Sequence, residues 1–274
     1  MRVVVLIENN TINKDLYKEH GLSLYIEVGG QKILFDTGKS DNFCHNAKLL
    51  GVDLRAVDFG LISHGHYDHG GGLREFLLHN QRATVYINTN AYGDFYSRRE
   101  NGEMIYIGLD KKTIANKQIE LVDSFYEISK GINLVSGISG DKFYPSGNQS
   151  LLCKVNEVFV EDSFDHEQNL VIEFEDKVVL FAGCAHKGIL NIVDYVEDRL
   201  KTKVTHVFSG LHLYSHRLGK SENPEIVSQI AHELLDKKIK LWSGHCTGDE
   251  AFGQIKAIMK DDLQAMSTGV DVEL

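Results

Sequence analysis

Histidine and aspartate are concentrated in one stretch of the chain, His64-Gly65-His66-Tyr67-Asp68-His69-Gly70-Gly71-Gly72. Three imidazoles and one carboxylate fall within six positions, and such side chains are common ligands of divalent metal ions. In extended backbone His64 and His66 project to the same side, because side chains alternate along a strand. Asp68 and His69 can then turn towards a second centre a few ångströms away. The spacing predicts a site for two metal ions.

An apolar run and three glycines frame this stretch. Residues 57–62 are mostly apolar and predict a buried strand that ends at His64. Gly70, Gly71 and Gly72 are expected to adopt φ values that a residue with a Cβ resists, so that the backbone can curl around ions. A histidine-rich surface loop is the alternative, and it would be preferred for a lone histidine. It is weak here because four clustered ligand-type side chains satisfy each other poorly without an ion.

Three later strands are also predicted to end at side chains of the metal-binding type. Residues 178–181 lead to Gly183-Cys184-Ala185-His186, residues 204–208 to Gly210-Leu211-His212, and residues 239–242 to Gly244-His245-Cys246-Thr247-Gly248. Cys184 and His186 could instead be a packed core cysteine and a capping histidine. Four strand ends that carry histidine favour one polar cleft with a shared ligand set.

The remaining pattern alternates strands and helices. Strands are predicted at residues 3–7, 23–28, 32–35, 83–87, 132–135, 158–161, 170–174 and 270–273, and helices at residues 42–50, 73–78, 188–200 and 249–260. Another helix should begin with Asn223 as its N-cap and Pro224 in its first position. Asp36 follows a strand and precedes a helix, so it is either a helix-start carboxylate or a support for the metal loop, and we favour support.

Length and composition favour a single domain over residues 1–274. The 274 residues are 42% hydrophobic, which is enough for a large core, and no linker or repeat interrupts the chain. Residues 82–154 have a less regular, tyrosine-rich pattern. This segment could cover a site or could form ordinary surface loops.

Charge and cysteine content limit the partners and the compartment. The net charge of −10 is spread along the chain, which argues against nucleic acid as a partner. The four cysteines lie far apart without a Cys-x-x-Cys pair, which argues against a disulfide framework and suits a reducing cytoplasm. The apolar N-terminal run is too short to span a membrane and lacks the cleavage region of a signal peptide, so we expect a cytoplasmic protein without a membrane partner.

These features resemble the metallo-β-lactamase superfamily. The resemblance rests on the His-x-His-x-Asp-His stretch and on the later histidines at strand ends, and it implies an α/β (α+β) fold, the four-layer αββα sandwich of this superfamily. Further motifs resemble the branch of dihydropterin-6-methyl-(ribofuranosyl)aminobenzene-phosphate synthase, which acts in methanopterin synthesis. These motifs are Glu19-His20-Gly21-Leu22-Ser23, Leu34-Phe35-Asp36-Thr37-Gly38, Gly183-Cys184-Ala185-His186, Leu211-His212-Leu213 and His245-Cys246-Thr247-Gly248.

The resemblance implies two bound divalent ions, expected to be zinc, with manganese, iron or magnesium as alternatives. The implied ligands are His64 and His66 for the first ion, Asp68, His69 and His245 for the second, and His186 as the remaining one. An oxygen-reducing di-iron protein of the same fold would need a carboxylate in place of the second histidine, so the sequence argues against that activity.

Two regions depart from the usual pattern of the superfamily. Cys184 stands where a bridging aspartate is usual, and it could bind as a thiolate or only pack. Asp165-His166-Glu167-Gln168 occupies the region of the usual Gly-His-Thr motif. His166 or a neighbouring carboxylate could therefore also be a ligand.

Two ions that share a water would lower its pKa to roughly 7 and hold a phosphoryl or carbonyl oxygen. This predicts a metal-dependent hydrolase or, as the resemblance implies, a pterin-transferring synthase. Asp68 is predicted to be catalytic, and His212 is a candidate for proton transfer or an oxyanion contact, with a buried structural role as its alternative. The other functions considered are hydrolysis of a lactone, thioester or phosphodiester, and non-catalytic metal-dependent ligand binding.

The expected substrate is a small anionic molecule that carries phosphate. A protein of charge −10 repels anions at long range, so capture must be local, through the ions and a few basic groups such as Arg98, Arg99 or Lys187. Lys187 is best placed because it adjoins His186 at a predicted helix start, where the helix dipole favours an anion. An ordinary solvated lysine is the alternative.

Overall fold

Short apolar runs form strands and amphipathic runs form helices in both of the compact units into which the chain divides. A computed structural model describes residues 1–215 and 219–274. The first unit comprises Met1–Gly93, Ile107–Asp123 and Met266–Leu274. The second unit comprises Asp94–Tyr106 and Ser124–Ala265.

The first unit is built on a seven-stranded mixed sheet. Its strands are β1 (Arg2–Ile7), β2 (Ser23–Val28), β3 (Gln31–Phe35), β4 (Phe59–Ile62), β5 (Thr84–Asn88), β8 (Ile119–Val122) and β20 (Asp271–Glu273). They lie in the order β20-β1-β2-β3-β4-β5-β8, and β3, β4, β5 and β8 run parallel. Gly29 and Gly30 join β2 to β3 and both have positive φ, as the tightest hairpin turn requires.

Three helices belong to the first unit, α1 (Asn42–Leu49), α2 (Tyr67–Gly70) and α3 (Leu73–His79). Phe43 of α1 and Phe76 of α3 pack in one apolar core with Leu34 and Ile62 of the sheet. All four residues of β4 are buried, which is typical of a central parallel strand covered on both faces. This core fixes the end of β4, where the histidine-rich stretch begins.

The second unit contains another seven-stranded sheet. Its strands are β9 (Phe125–Ser129), β10 (Ile132–Ser136), β13 (Gln168–Phe174), β14 (Lys177–Phe181), β15 (His206–Gly210), β18 (Lys240–Gly244) and β19 (Leu263–Ala265). They lie in the order β19-β18-β15-β14-β13-β10-β9, and the four strands from β14 to β19 run parallel. The helices α4 (Ile189–Leu200), α5 (Pro224–Asp236) and α6 (Asp249–Met259) contribute to the apolar core of this unit.

Smaller elements complete the second unit and the connections. The remaining strands are β6 (Phe95–Arg98), β7 (Met104–Tyr106), β11 (Leu151–Val155), β12 (Val158–Glu161), β16 (Tyr214–Ser215) and β17 (Lys220–Ser221). The first four form a sheet in the order β12-β11-β6-β7, and β16 pairs with β17. Short 3₁₀ helices lie at Leu54–Ala56, Lys111–Ala115, Ser146–Ser150, His245–Thr247 and Lys260–Asp262.

The predicted strands and helices are confirmed, with ends that differ by up to two residues. The side chain of Asn223 accepts a hydrogen bond from the backbone N–H of Glu225 at 2.8 Å, so its predicted N-cap role is also confirmed. Residues 82–154 carry five further strands that the pattern does not predict, β6, β7, β8, β9 and β11. Among the described residues, none of the helices combines the length and apolar character needed to cross a lipid bilayer.

Candidate metal centre

Asp36 and Ser63 meet because they follow neighbouring parallel strands, β3 and β4. The Asp36 carboxylate is fully buried and accepts hydrogen bonds from the Ser63 backbone N–H and hydroxyl, both at 2.7 Å. It also accepts one from Nδ1 of His69 at 2.6 Å. Helix α1 starts only at Asn42, so Asp36 is not a helix-start carboxylate. Asp36 therefore supports the histidine-rich stretch, as predicted.

This network fixes the protonation of two imidazoles. The Ser63 hydroxyl gives its proton to Asp36, so its oxygen is left to accept from Nδ1 of His64 at 3.0 Å. His64 and His69 are therefore both held as the tautomer that carries a proton on Nδ1. Their Nε2 atoms keep a lone pair, which is the state of a metal-binding histidine supported by a carboxylate.

The four predicted donors of the first unit lie together. The His64 ring centroid is 4.6 Å from that of His66 and 4.1 Å from that of His69. His66 has extended backbone, and the single turn of α2 brings Asp68 back to within 3.8 Å of Nε2 of His69. Asp68 also lies 3.2 Å from Nε2 of His20, a neighbour that the spacing of the stretch does not predict.

The glycines of this stretch are needed for close approach rather than for unusual φ. Gly71 and Gly72 have φ values of −64° and −83°, which any residue adopts, so the expectation of a special backbone conformation is wrong. A Cβ at Gly71 would collide with the carbonyl oxygen of Lys39, and one at Gly72 with that of Thr37. Because these glycines have no side chains, the loop after β3 can lie directly against the histidine-rich stretch.

In the second unit, three parallel strands deliver donors at their carboxyl ends. Among the described residues, the donors include two groups within which all ligand atoms lie within 4.8 Å of one another. The groups are Cys184, His186 and His212, and Cys184, His245 and Cys246. Cys184 belongs to both groups. Through Cys184, the two groups link the predicted site residues His186, His212 and His245.

His186 is held from several sides by residues that sequence reasoning missed. The amide nitrogen of Asn148 donates to the His186 carbonyl at 2.8 Å, so the amide oxygen faces the ring and accepts from Nδ1 at 2.9 Å. Phe164 stacks on the imidazole with centroids 4.3 Å apart. The buried Glu167 carboxylate accepts from the backbone N–H groups of His186 and Lys187. As at His64, Nε2 is left as the nitrogen that can bind metal.

Burial and hydrogen bonds act in opposite directions on the carboxylates beside this histidine. Burial raises the pKa of Glu167 above its ordinary value, although the backbone N–H groups that it accepts from lower it. Burial would also raise the pKa of Asp165, but hydrogen bonds from Lys187 and Ser163 hold it below its ordinary value. Lys187 thus forms an ion pair, with its Nζ 3.0 Å from Asp165.

His166 has a structural environment. Its Nε2 lies 3.1 Å from the Asp162 carboxylate, and its ring packs on Phe95 with centroids 4.1 Å apart. In the motif from Asp165 to Gln168, Glu167 contacts a predicted ligand through the backbone of His186. Glu167 therefore supports the candidate site and His166 packs beside it.

Cys246 is a further donor that the sequence analysis did not include in its ligand set. Burial would raise the pKa of this thiol, but its contacts with Cys184 and His212 and the nearby charge of His245 lower it well below its ordinary value. The signal was present in the sequence, since Cys246 directly follows a predicted ligand at a strand end.

Both clusters fit divalent metal ions. Buried imidazole nitrogens with a defined tautomer, a carboxylate and buried thiols are the donor types of zinc sites, and a support holds a ring in each cluster. A metal ion bound there could polarise an oxygen of a substrate or lower the pKa of a water.

Comparisons with known proteins agree with this chemistry. A family model described as the metallo-beta-lactamase superfamily matches residues 16–218. The 7,8-dihydropterin-6-methyl-4-(beta-D-ribofuranosyl)-aminobenzene-5'-phosphate synthase of Methanocaldococcus jannaschii is 29% identical, with 94% of this chain and 90% of that protein covered. Protein MJ0448 of the same organism is 26% identical, with 93% and 94% covered.

A solved structure shares the fold. Tm1679, described as a metal-dependent hydrolase of the beta-lactamase superfamily, superposes with a TM-score of 0.84 at 28% identity. The superposition covers 100% of this chain and 99% of the other. This likeness confirms the predicted α/β fold class.

Proposed function

Because the chain belongs to the metallo-β-lactamase superfamily, we propose that it is an enzyme that uses two divalent metal ions to act on a small substrate that carries phosphate. Members of this superfamily typically bind divalent metals, and this chain has His, Cys and Asp clusters of the matching kind. The proposed ligands are those predicted from the sequence: His64, His66, Asp68, His69, His186, His245 and Cys184.

The observation that carries the proposal is the 29% identity to the pterin-related synthase over nearly the whole of both chains. The substrate proposed on this basis is a pterin pyrophosphate or a similar anionic molecule, and the reaction is transfer of the pterin to an aryl carbon, with pyrophosphate as the leaving group. We assign capture of the phosphate to the ions, since Lys187, the basic group beside His186, is already paired with Asp165.

In pterin transfer the ions would act as Lewis acids that hold the phosphoryl oxygens of the leaving pyrophosphate, and in hydrolysis they would also supply a water of lowered pKa. Asp68 would bind the second ion and, in hydrolysis, orient the water. The Asp36 carboxylate and the Asn148 amide keep His69 and His186 in the binding tautomer. His212 lies 4.2 Å from His186 between ring centroids, so it is placed to move a proton beside the ions or to join their ligands.

A second candidate is hydrolysis of a lactone, thioester or phosphodiester. The observation that favours it is the likeness to Tm1679, which is described as a metal-dependent hydrolase. A metal-dependent protein that binds its ligand without turnover is the third. The four cysteines are free thiols, and on this ground we propose that the protein works in a reducing cytoplasm. From the length and composition we propose that residues 1–274 act as a single domain.

The experiment is metal analysis of the purified protein followed by assays on pterin pyrophosphate, phosphodiesters, lactones and thioesters. Release of pyrophosphate with transfer of the pterin supports the synthase, and cleavage of a neutral lactone that is indifferent to phosphate esters supports the hydrolase. Turnover of none of these substrates by metal-loaded protein would favour the binding protein.

Asp68→Asn provides the sharper test of the site. We expect turnover to fall by more than about 100-fold while thermal unfolding stays close to wild type, because the fold rests on apolar strands elsewhere. Asp41→Asn, an exposed carboxylate ahead of α1, is the matched control. A metal-replete Asp68 variant that keeps most of its activity would refute the proposed role.

A further inference from the structure

We propose that Cys246 is a metal ligand together with Cys184, so that the second unit holds a sulfur-rich site that selects zinc-type ions over magnesium and manganese. This inference rests on the proposed function only in requiring that the chain binds metal. It adds a ligand beyond those predicted from the sequence, and it is argued from the second unit alone.

The fold makes room for two sulfur atoms at one end of the sheet. Cys184 follows β14 and Cys246 follows β18, and β15 lies between these strands. At the end of β15 stands Gly210, where a Cβ would lie 2.5 Å from Sγ of Cys246 and 3.0 Å from the carbonyl oxygen of Gly183. Any larger residue at this position would displace the sulfur of Cys246.

The separations suit a common ion. The Sγ atoms of Cys184 and Cys246 and a ring nitrogen of His245 all lie within 4.8 Å of one another. Two thiolates on one tetrahedral zinc ion, each about 2.3 Å from the metal, are separated by about 3.8 Å. Small side-chain rotations would therefore close the site around an ion.

The sulfur of Cys184 lies where it could bind two ions. Its Sγ also lies within 4.8 Å of ring nitrogens of His186 and His212. A thiolate has several lone pairs, so this sulfur can take the bridging position that a carboxylate has in other dinuclear centres.

The surroundings of Cys246 favour a ligand over a packing residue. The side chain is buried, and its sulfur accepts a hydrogen bond from the backbone N–H of His212 at 3.2 Å. A buried cysteine that only fills space behaves as a small apolar residue and does not need imidazoles around it. Here two sulfurs and three imidazoles are gathered at the ends of three strands, which apolar packing does not explain.

Sulfur ligands determine which metal is preferred. Thiolates are soft donors that suit zinc, cobalt and cadmium, whereas magnesium and manganese prefer oxygen ligands. The inference therefore predicts that zinc displaces magnesium and manganese from the purified protein. It also predicts that cobalt bound in place of zinc has the near-ultraviolet absorption of cobalt–thiolate bonds.

The test is cobalt substitution in the full-length protein, with Cys246→Ser as the variant and Cys153→Ser as the control. Cys153 lies in β11 and outside both donor groups described above. We expect the thiolate-to-cobalt absorption per bound cobalt to fall by roughly a third in Cys246→Ser, because one of three cobalt–sulfur bonds is lost, and to be unchanged in Cys153→Ser. Full absorption in Cys246→Ser would overturn the inference.

A second measurement keeps the inference testable if Cys246→Ser fails to fold. The NMR chemical shift of cadmium bound to the wild-type protein reports the number of sulfur ligands. A shift typical of cadmium with two sulfur ligands supports the inference, and shifts typical of at most one sulfur ligand on each cadmium overturn it while leaving the proposed enzyme intact. A protein that binds no metal at all would overturn both.

Discussion

Asp36→Asn tests whether a buried carboxylate organises the first metal cluster. Three donors converge on this side chain, the backbone N–H and hydroxyl of Ser63 and Nδ1–H of His69, at 2.6 to 2.7 Å. A carboxamide offers one oxygen and places an NH₂ group in the position of the other. At least one buried donor then faces another donor, which costs about 1–3 kcal/mol for each group left unsatisfied. We expect the free energy of unfolding of the metal-free variant to fall by about 2–4 kcal/mol.

The same substitution should weaken metal binding. Without the carboxylate, neither His69 nor, through Ser63, His64 is fixed in the binding tautomer, and loss of such a support typically costs about 10–100-fold in affinity. Urea unfolding of the metal-free protein gives the stability, and competition with a chromophoric chelator gives the affinity. Asp41→Asn should change neither quantity. If Asp36→Asn bound metal as tightly as wild type, the argument from tautomers would be refuted.

Two further predictions concern stability. Gly71→Ala should destabilise the protein by about 1–3 kcal/mol in urea unfolding, because the added Cβ overlaps a backbone carbonyl that cannot move aside. Gly253→Ala, in α6 with open space around it, should instead stabilise by about 0.5–1 kcal/mol, and equal effects of the two changes would contradict the close-approach argument. In the second unit, burial would raise the pKa values of Asp194 and Glu197, but hydrogen bonds from ammonium groups including Lys237 hold both below their ordinary values. The stabilisation that these two carboxylates contribute is complete above about pH 4.5 and is lost as the pH falls through their lowered pKa values. We therefore expect the free energy of unfolding of Lys237→Met to decrease less steeply at acid pH than that of the wild type.

The strands that the sequence predicts are those with a clear hydrophobic pattern in their own residues. Buried parallel strands such as β4 are continuous apolar runs, and a capping asparagine and a proline mark the start of α5. The strands that were missed depend on partners. β19 has three residues and is a strand because β18 lies beside it, and β7 has only half-buried or exposed residues. Pairing of this kind has no local signal.

Residue type and strand ends indicate most of the candidate donors and one support, Asp36, but not Cys246 or the support Asn148. His64, His66, Asp68 and His69 are ligand types in one short stretch, so their clustering is a local property. Asn148 lies 38 positions before His186, and its hydrogen bond to that ring exists only because the chain folds back. Amide residues are common in loops, so no pattern distinguishes this one.

Four residues at the strand ends adopt a strained backbone conformation that places the candidate donors and their supports. Asp36, Ala185, His212 and His245 all have φ near +50°, a left-handed conformation that costs a residue with a Cβ about 1–2 kcal/mol. Glycine would remove this strain, but at three of these positions it would also remove a side chain that supports or forms the candidate site. Ala185 offers no donor, yet it separates Cys184 from His186. Its left-handed turn lets both neighbours contribute to one group of ligand atoms within 4.8 Å, so the strain there is explained by the two donors that it places.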